Sequence, residues 1–264
     1  MRLYLLPKEF TGEPLLQLEG KEAHYLTRVL RMKVGSRFAG RDHKGRLWDL
    51  EITHTDKNTC ALNCSIAGEE VLETSDALPA YHGPFPNLSL YQCLCKGKKM
   101  EQIVRQATEM GTARIIPVQS SHSVVDLSKK EVEELTGKKD RLQAMVKEAI
   151  QQSGSAIPTV IERTIRLTEV VEDWHGQGLG LFFHQMPMGE QQPSLVEVLS
   201  SYAKQNGPQA PIAVLIGPEG GLSSEEAQLL LKADFKPIHL RTNILRAETA
   251  AIYALSAIQV VMLA

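Results

Sequence analysis

The segment LIGPEGGLSSEE, at residues 215–226, has the composition of a ligand-binding turn. An apolar, strand-like stretch runs into a turn that contains one proline and three glycines: Gly217, Pro218, Gly220 and Gly221. Glycines let the backbone approach a ligand closely, and α/β sheets bind ligands where parallel strands end. Ser223 and Glu226 have the spacing of a capping box, which predicts a helix directly after the turn. The alternative is a tight strand-to-helix connection, although that needs fewer glycines.

The segment HLRTNILRAETAAIYAL, at residues 239–255, is a second candidate binding loop. A predicted strand ends at Leu240, a polar loop follows, and a helix is predicted to begin near Glu248. The residues at 249–251 are small, so a ligand or another stretch of backbone can come close to them. The helix is apolar on nearly every side, which predicts that it is buried, either in the core or at a subunit interface.

The common motifs of nucleotide-binding proteins and hydrolases are absent from the sequence. It contains no G-x4-G-K-[ST] loop, no H-E-x-x-H and no G-x-S-x-G. The glycines at 176–180 precede a predicted strand and do not have the spacing of a dinucleotide-binding motif. His122, His184 and His239 are isolated in the sequence, and we interpret each as a core or surface residue.

The four cysteines occur in two strand-like stretches, where alternate residues share a face: Cys60, Cys64, Cys93 and Cys95. Their spacings differ from the C-x2-C of zinc knuckles, and disulfides are not expected in an intracellular chain. We therefore predict small buried side chains and no metal site.

Positive charge is concentrated near the N-terminus, although the net charge of the chain is −2. Residues 21–46 hold two acidic residues and eight basic ones: Lys21, Arg28, Arg31, Lys33, Arg37, Arg41, Lys44 and Arg46. Such a patch favours an anionic partner such as nucleic acid. A solvated surface face is the alternative.

Two domains are predicted to carry these features. Residues 1–73 read as short strands around a helix-like insert, EAHYLTRVLRM, and indicate a small β-barrel or sandwich. The buried face of the insert is predicted to contain Ala23, Leu26, Val29 and Leu30. Residues 74–87 are rich in proline and are predicted to be a linker.

From residue 88 to residue 264, predicted strands alternate with predicted helices. This pattern is typical of an α/β domain with a mainly parallel sheet that is covered on both faces. The strongest strand is IAVLIG, directly before the glycine-rich turn, and the second helix is predicted over residues 138–152.

The composition is that of an ordinary globular protein, with 43% hydrophobic and 23% charged residues in 264. No apolar run approaches the roughly 20 residues that a membrane-spanning helix needs. Pro7 interrupts the N-terminal apolar stretch before a signal-peptide core could form. We therefore expect no membrane association and a cytoplasmic location.

Four blocks of the sequence resemble those of the SPOUT-class RNA methyltransferases, specifically the small-subunit (16S) rRNA uridine-N3 methyltransferase (RsmE) family. IGPEGG and ILRAETAAIYAL are similar to its two signature blocks, and residues 24–38 and 96–120 are similar to two earlier blocks. The blocks stand in the family's order and cover most of the chain.

The resemblance implies a SPOUT α/β domain with a C-terminal trefoil knot, joined to an N-terminal PUA-like β-barrel. It also implies S-adenosylmethionine as cofactor, and a homodimer formed through the knotted region and the C-terminal helix. Ribosomal RNA or the small ribosomal subunit would be the partner. The cofactor-binding residues would be His184, Ile216, Gly217, Pro218, Glu219, Gly220, Gly221, Leu240, Asn243, Ile244, Leu245, Thr249 and Ala250.

The resemblance further implies methyl transfer to N3 of a uridine, whose proton must leave before or during the attack. Arg246 is the candidate for stabilising the developing anion, with a phosphate contact as the alternative. Glu248 would orient Arg246, or simply favour the helix N-terminus. The RNA backbone would be contacted by Arg28, Arg31, Lys96, Lys98 and Lys99.

The chain departs from the family pattern in three segments. Arg241-Thr242-Asn243 stands where the family carries Gly-Pro-Arg, and Ser121-His122 stands where it carries Glu-Arg. The segment at 151–155 lacks an acid and an arginine of a third motif. These departures leave two further hypotheses open, a methyltransferase for another RNA position and a non-catalytic RNA-binding or ribosome-assembly protein.

Overall fold

The computed structural model describes residues 3–67, 85–123, 131–185 and 192–264. The chain forms two compact units, Met1–Tyr81 with Ile150–Ala156, and His82–Ala149 with Ile157–Ala264. Most of the predicted linker, residues 74–87, lies outside the described residues.

The first unit is built on a five-stranded sheet. Its strands are β1 (Tyr4–Leu5), β2 (Leu15–Glu19), β3 (Arg37–Arg41), β4 (Leu47–Thr55) and β5 (Thr59–Ile66). The order is β1-β3-β4-β5-β2, in which β1 runs parallel to β3 and the other pairs are antiparallel. Because β1 and β2 lie at opposite ends of this order, the hydrogen bonding is that of an open half-barrel rather than a closed barrel.

The helical insert of this unit consists of α1 (Gly20–His24) and a π-helical turn (Tyr25–Val29). Ala23 and Leu26 are buried as predicted and Leu30 is half-buried, but Val29 is 58% exposed, so its predicted burial is wrong. In the π-helical turn the Leu30 N–H donates to the Tyr25 carbonyl, five residues back. This wider turn breaks the α-helical spacing on which the prediction depended.

The basic patch predicted in this unit is smaller than the sequence indicates. Arg41 is buried and donates to the Ser155 carbonyl. Arg37 is paired with Asp49, and Arg46 is paired with Asp42. The remaining basic residues of the patch are exposed: Lys21, Arg28, Arg31, Lys33 and Lys44.

The second unit contains a seven-stranded sheet whose pairings are all parallel, which confirms the prediction. Its strands are β6 (Asn87–Cys93), β7 (Arg114–Gln119), β8 (Val160–Ile161), β9 (Ile165–Arg166), β10 (Leu179–Phe183), β11 (Pro211–Ile216) and β12 (Lys236–Ile238). The order is β12-β10-β11-β6-β7-β8, and β9 also pairs with β7.

Six helices accompany this sheet in the described residues. They are α2 (Lys99–Glu109), α3 (Glu131–Ser153), α4 (Leu167–Trp174), α5 (Leu195–Asn206), α6 (Ser224–Lys232) and α7 (Ala247–Met262). Helix α3 begins earlier than predicted, and α4 was not predicted. One group of contacts joins α7 to α2, α5 and β11, and another joins α4 to α6. None of the described helices is long and apolar enough to cross a lipid bilayer.

The last helix, α7, is buried on one side only. Its buried face is formed by Ala247, Ala251, Ala254, Leu255, Ile258 and Met262. Tyr253 is 48% exposed and Val260 is 71% exposed. In the single chain the helix packs on β11 and two helices and leaves an apolar face uncovered, so burial of that face at a subunit interface stays a prediction.

The four cysteines are buried and unpaired, which confirms their prediction as small buried side chains. Among the described residues, no cluster of His, Cys, Asp or Glu has the arrangement of a metal site.

Candidate functional site

Three strand ends meet at one edge of the parallel sheet. Strand β10 lies between β11 and β12, and Phe183 at its carboxyl end is in register with Ile216 and Ile238. The loops that follow these strands therefore lie side by side. This edge, at the carboxyl ends of parallel strands, is where the sequence predicts a ligand.

The three loops enclose a cavity of about 380 Å³. Cofactor sites fall in the range of roughly 300–1,000 Å³. Most of the predicted cofactor-binding residues line it: His184, Ile216, Gly217, Pro218, Glu219, Gly220, Gly221, Leu240, Asn243, Ile244, Leu245 and Ala250. Thr249 lies outside the lining and is exposed on α7.

The glycine-rich turn is held by its own hydrogen bonds and by the helix that follows. The Gly221 N–H donates to the Pro218 carbonyl at 2.9 Å, and Gly221 has a φ of +71°, which favours glycine. Ser223 precedes α6, and its hydroxyl accepts from the Glu226 N–H at 3.2 Å. The Glu226 carboxylate accepts in return from the Ser223 N–H at 2.9 Å, so the predicted capping box is confirmed.

His122 contacts this turn from the loop after β7. Its Nδ1 lies 3.2 Å from the Gly220 carbonyl oxygen and 3.1 Å from that of Gly221, and it donates when that nitrogen carries the proton. A Cβ at Gly220 would lie 3.1 Å from the His122 Cβ, so the turn has little room for a side chain. The adjacent Ser121 N–H donates to Glu226 at 2.7 Å. Sequence reasoning missed this contact, because only the strand order brings the two loops together.

Lys99 links the glycine-rich turn to α7. Its Nζ lies 2.7 Å from Glu219 Oε1 and 3.6 Å from Glu248 Oε2. The hydrogen bond to Glu219 raises the pKa of Lys99. Burial alone would raise the pKa of Glu219, but the hydrogen bond and charge of Lys99, together with backbone hydrogen bonds from Glu219 and Lys96, outweigh it and the pKa is lowered. The sequence placed Lys99 among the RNA contacts, whereas here its ammonium group is hydrogen-bonded to one carboxylate and lies near a second.

The two predicted catalytic residues lie at the start of α7. Arg246 precedes the helix, lines the cavity and is exposed. Glu248 is in the first helical turn, its side chain is 12% exposed, and its Oε2 is buried without a hydrogen bond among the described residues. Within the same residues the carboxylate of Glu248 faces Lys99 and forms no ion pair with Arg246. In the structure the charged neighbour of Glu248 is therefore Lys99, whereas the sequence analysis expected Arg246.

Arg241 has an unusual backbone conformation for a non-glycine residue. It lines the cavity in the loop after β12, and its φ is +49°. This left-handed region favours glycine, the residue that the resemblance implies at this position. The sequence analysis identified Arg241 as a departure from the family pattern but did not predict its backbone conformation.

The remaining predicted RNA contacts lie on the surface of each unit. In the first unit, Arg28 lies in the π-helical turn and Arg31 follows it, and both are exposed. In the second unit, Lys96 and Lys98 lie just before α2 and are exposed. Each side chain is accessible to an anionic partner.

Comparison with known proteins agrees with this architecture. The RNA methyltransferase domain model matches residues 83–259, and the RNA methyltransferase PUA domain model matches residues 18–63. The ribosomal RNA small subunit methyltransferase E of Aquifex aeolicus is 30% identical, over 94% of this chain and 95% of its own. The enzyme of the same name from Bacillus subtilis is 27% identical, over 96% and 93%.

Solved structures share the fold over nearly the full length. A putative methyltransferase from Legionella pneumophila, in complex with S-adenosylmethionine, has a TM-score of 0.80 and 25% identity, and covers 98% of this chain and 97% of its own. A ribosomal RNA small subunit methyltransferase E from Neisseria gonorrhoeae has the same TM-score and coverage with 23% identity. With its methyltransferase domain around the cavity and its PUA domain in the half-barrel, this chain belongs to the RNA methyltransferase family.

Proposed function

We propose that the protein transfers a methyl group from S-adenosylmethionine to N3 of a uridine in small-subunit ribosomal RNA. The observation that carries this proposal is the cavity formed by three loops at the carboxyl ends of β10, β11 and β12. The names of the relatives specify small-subunit ribosomal RNA, and a neighbour of the same fold holds S-adenosylmethionine. The N3 position rests on the resemblance of the two signature blocks.

The cavity fits S-adenosylmethionine in size and in chemistry. Its lining combines the glycine-rich turn with apolar side chains, Ile216, Ile244 and Leu245, and with polar groups of the loop after β12, a mixture suited to an adenosine moiety and an amino-acid group. We assign cofactor binding to this turn, to His184 and to the loop from Leu240 to Leu245. When bound, the cofactor would supply a methyl group on a positively charged sulfur.

The residues of the chain would assist by stabilising negative charge and by holding the start of α7 in place. The guanidinium group of Arg246 is exposed at the cavity and would stabilise the anion that forms when N3 loses its proton. Glu248 would act through Lys99, because that ion pair fixes the first turn of α7 beside the glycine-rich turn. Much of the rate enhancement would come from positioning two substrates.

RNA would bind through the half-barrel and the loop before α2. We assign residues 1–73 to an RNA-binding PUA-like domain, 74–87 to a linker and 88–264 to the methyltransferase domain. Arg28, Arg31, Lys96 and Lys98 would contact phosphates, which set the position of the RNA without reading its sequence. A ribosomal RNA substrate would place the protein in the cytoplasm.

We also infer a homodimer and a C-terminal knot. Tyr253 and Val260 on α7 and Leu263 just after it are exposed apolar residues, and Ile244 before the helix is 78% exposed. A second copy would cover such a surface. Helix α7 follows β12 at the edge of the sheet but packs against β11, α2 and α5. This return path across the sheet supports a trefoil knot.

Calorimetric titration with S-adenosylmethionine tests the cofactor site. We expect saturable binding by the wild type and at least a 10-fold loss in Gly220→Val, because the new side chain would displace His122 and the turn. Ser201→Val is the control, since Ser201 is exposed on α5 and does not line the cavity. A folded wild-type protein that does not bind S-adenosylmethionine, with or without small ribosomal subunits, would contradict the proposal.

A further inference from the structure

The conformation of Arg241 is not explained by the termination of a helix. The structure describes four non-glycine residues with positive φ: Arg31, His175, Asp234 and Arg241. The first three follow the ends of the π-helical turn, α4 and α6, where a left-handed residue is a common terminator. Arg241 instead lies within a loop, at the wall of the cavity. Left-handed non-glycine residues are strained, and such strain is concentrated at functional sites.

The guanidinium group of Arg241 is available to a ligand. It is exposed, and within the described residues it forms no hydrogen bond or ion pair. A nearby carboxylate, that of Glu197, accepts from the Ser194 N–H at 2.7 Å and from its hydroxyl at 2.8 Å. The charge of Arg241 contributes to the lowered pKa of Glu197, but less than these hydrogen bonds.

The charges around Arg241 favour an anion. The loop at 239–246 contains two arginines, Arg241 and Arg246, and no acidic residue. Glu219, on the opposite wall of the cavity, is neutralised by Lys99 at 2.7 Å. The loop therefore adds two positive charges to the wall of the cavity, which suits a phosphate group of an RNA chain.

We infer that Arg241 is an RNA-positioning residue, whose guanidinium binds a phosphate next to the target nucleotide at the mouth of the cavity. The inference rests on the proposed function, because it requires an RNA substrate. Arg241 does not take part in the chemical step in this account. Its left-handed backbone persists because glycine, which would relieve the strain, has no charge.

The test compares Arg241→Gly, Arg241→Lys and the wild type in binding to unmodified small-subunit ribosomal RNA made by transcription. We expect Arg241→Gly to bind this RNA about 10-fold more weakly, with the slope of log affinity against log salt reduced by about 0.7–0.9. Arg241→Lys should recover most of the affinity, because it keeps the charge. In methylation assays the KM for RNA should rise about 10-fold in Arg241→Gly, a larger change than the change in kcat.

Thermal unfolding supplies a second measurement, in which Arg241→Gly should gain stability although it loses RNA affinity. Arg241→Gly should unfold about 2 °C higher than the wild type, because the glycine relieves the backbone strain. His175→Gly is the matched control, since it relieves a similar φ of +48° outside the cavity and should leave RNA binding unchanged.

An Arg241→Gly protein with unchanged RNA affinity and salt slope would overturn the inference, as would a fall in kcat alone. If the wild type binds this RNA without methylating it, the proposed activity fails, while the binding comparison still decides the role of Arg241. A wild type that does not bind this RNA would overturn both proposals.

Discussion

The ion pairs of Lys99 lead to the sharpest prediction for a single side chain. Lys99→Met removes the ammonium group that lies 2.7 Å from Glu219 and 3.6 Å from Glu248. The methionine keeps much of the aliphatic side chain, so the main change is the loss of charge. Glu219 then loses its cation in the glycine-rich turn, and Glu248 loses the cation beside its buried oxygen.

The side-chain exposures determine how much free energy of unfolding Lys99→Met should lose. Lys99 and Glu219 are 29% and 30% exposed, and Glu248 is 12% exposed. A fully exposed pair contributes up to about 1 kcal/mol, and a hydrogen bond to a charged group contributes about 1.5–3 kcal/mol. We therefore expect Lys99→Met to lower the free energy of unfolding by about 2 kcal/mol. For a chain of this length that corresponds to a thermal midpoint about 4–8 °C lower.

The assay combines thermal unfolding with calorimetric titration of S-adenosylmethionine. Because Glu219 belongs to the turn that lines the cavity, the affinity of Lys99→Met for the cofactor should fall about 5-fold, or about 1 kcal/mol. Lys98→Met is the matched control, since Lys98 is exposed just before α2. It should leave stability and cofactor affinity unchanged. Equal behaviour of the two variants would refute the assigned role of Lys99.

Three other features lead to predictions. Asp42 accepts hydrogen bonds from the Arg46 Nε at 2.7 Å and the Trp48 Nε1 at 3.1 Å, so Asp42→Asn should lower the free energy of unfolding by about 2 kcal/mol. Burial alone would raise the pKa of Asp42, but hydrogen bonds together lower it to about 2. The free energy of unfolding of the wild type should therefore fall as the pH drops from about 4 to 2, and that of Asp42→Asn should fall less over the same range. Val260→Asp should shift the protein from dimer to monomer in sedimentation experiments, and a wild-type monomer would contradict the inferred dimer. Burial raises the pKa of the Cys95 thiol to about 12, so iodoacetamide should modify it at pH 8 only after unfolding.

Local signals predicted the parts of the site that a single segment determines. The glycine-rich turn and the Ser223 capping box follow from short-range sequence, and both are present in the structure. The parallel sheet followed from alternating strands and helices. The short strands β8 and β9 have only two residues each, which is too few for a periodic signal.

Contacts between distant segments could not be predicted from the sequence. Lys99 and Glu219 are 120 residues apart, and His122 and Gly220 are 98 residues apart. These pairs meet because β11 lies beside β6, and β6 lies beside β7. The sequence left the partner of α7 open for a related reason, since an apolar surface does not reveal whether its partner is the same chain or a second one.

The central claim is tested most directly by incubating the purified protein with unmodified small ribosomal subunits and S-adenosylmethionine labelled on the methyl group. The RNA is then digested to nucleosides and analysed by mass spectrometry. We predict label in N3-methyluridine, with a rate at least about 100-fold lower for Arg246→Ala. Label in a different nucleoside, or no label from a protein that binds both S-adenosylmethionine and the RNA, would contradict the account.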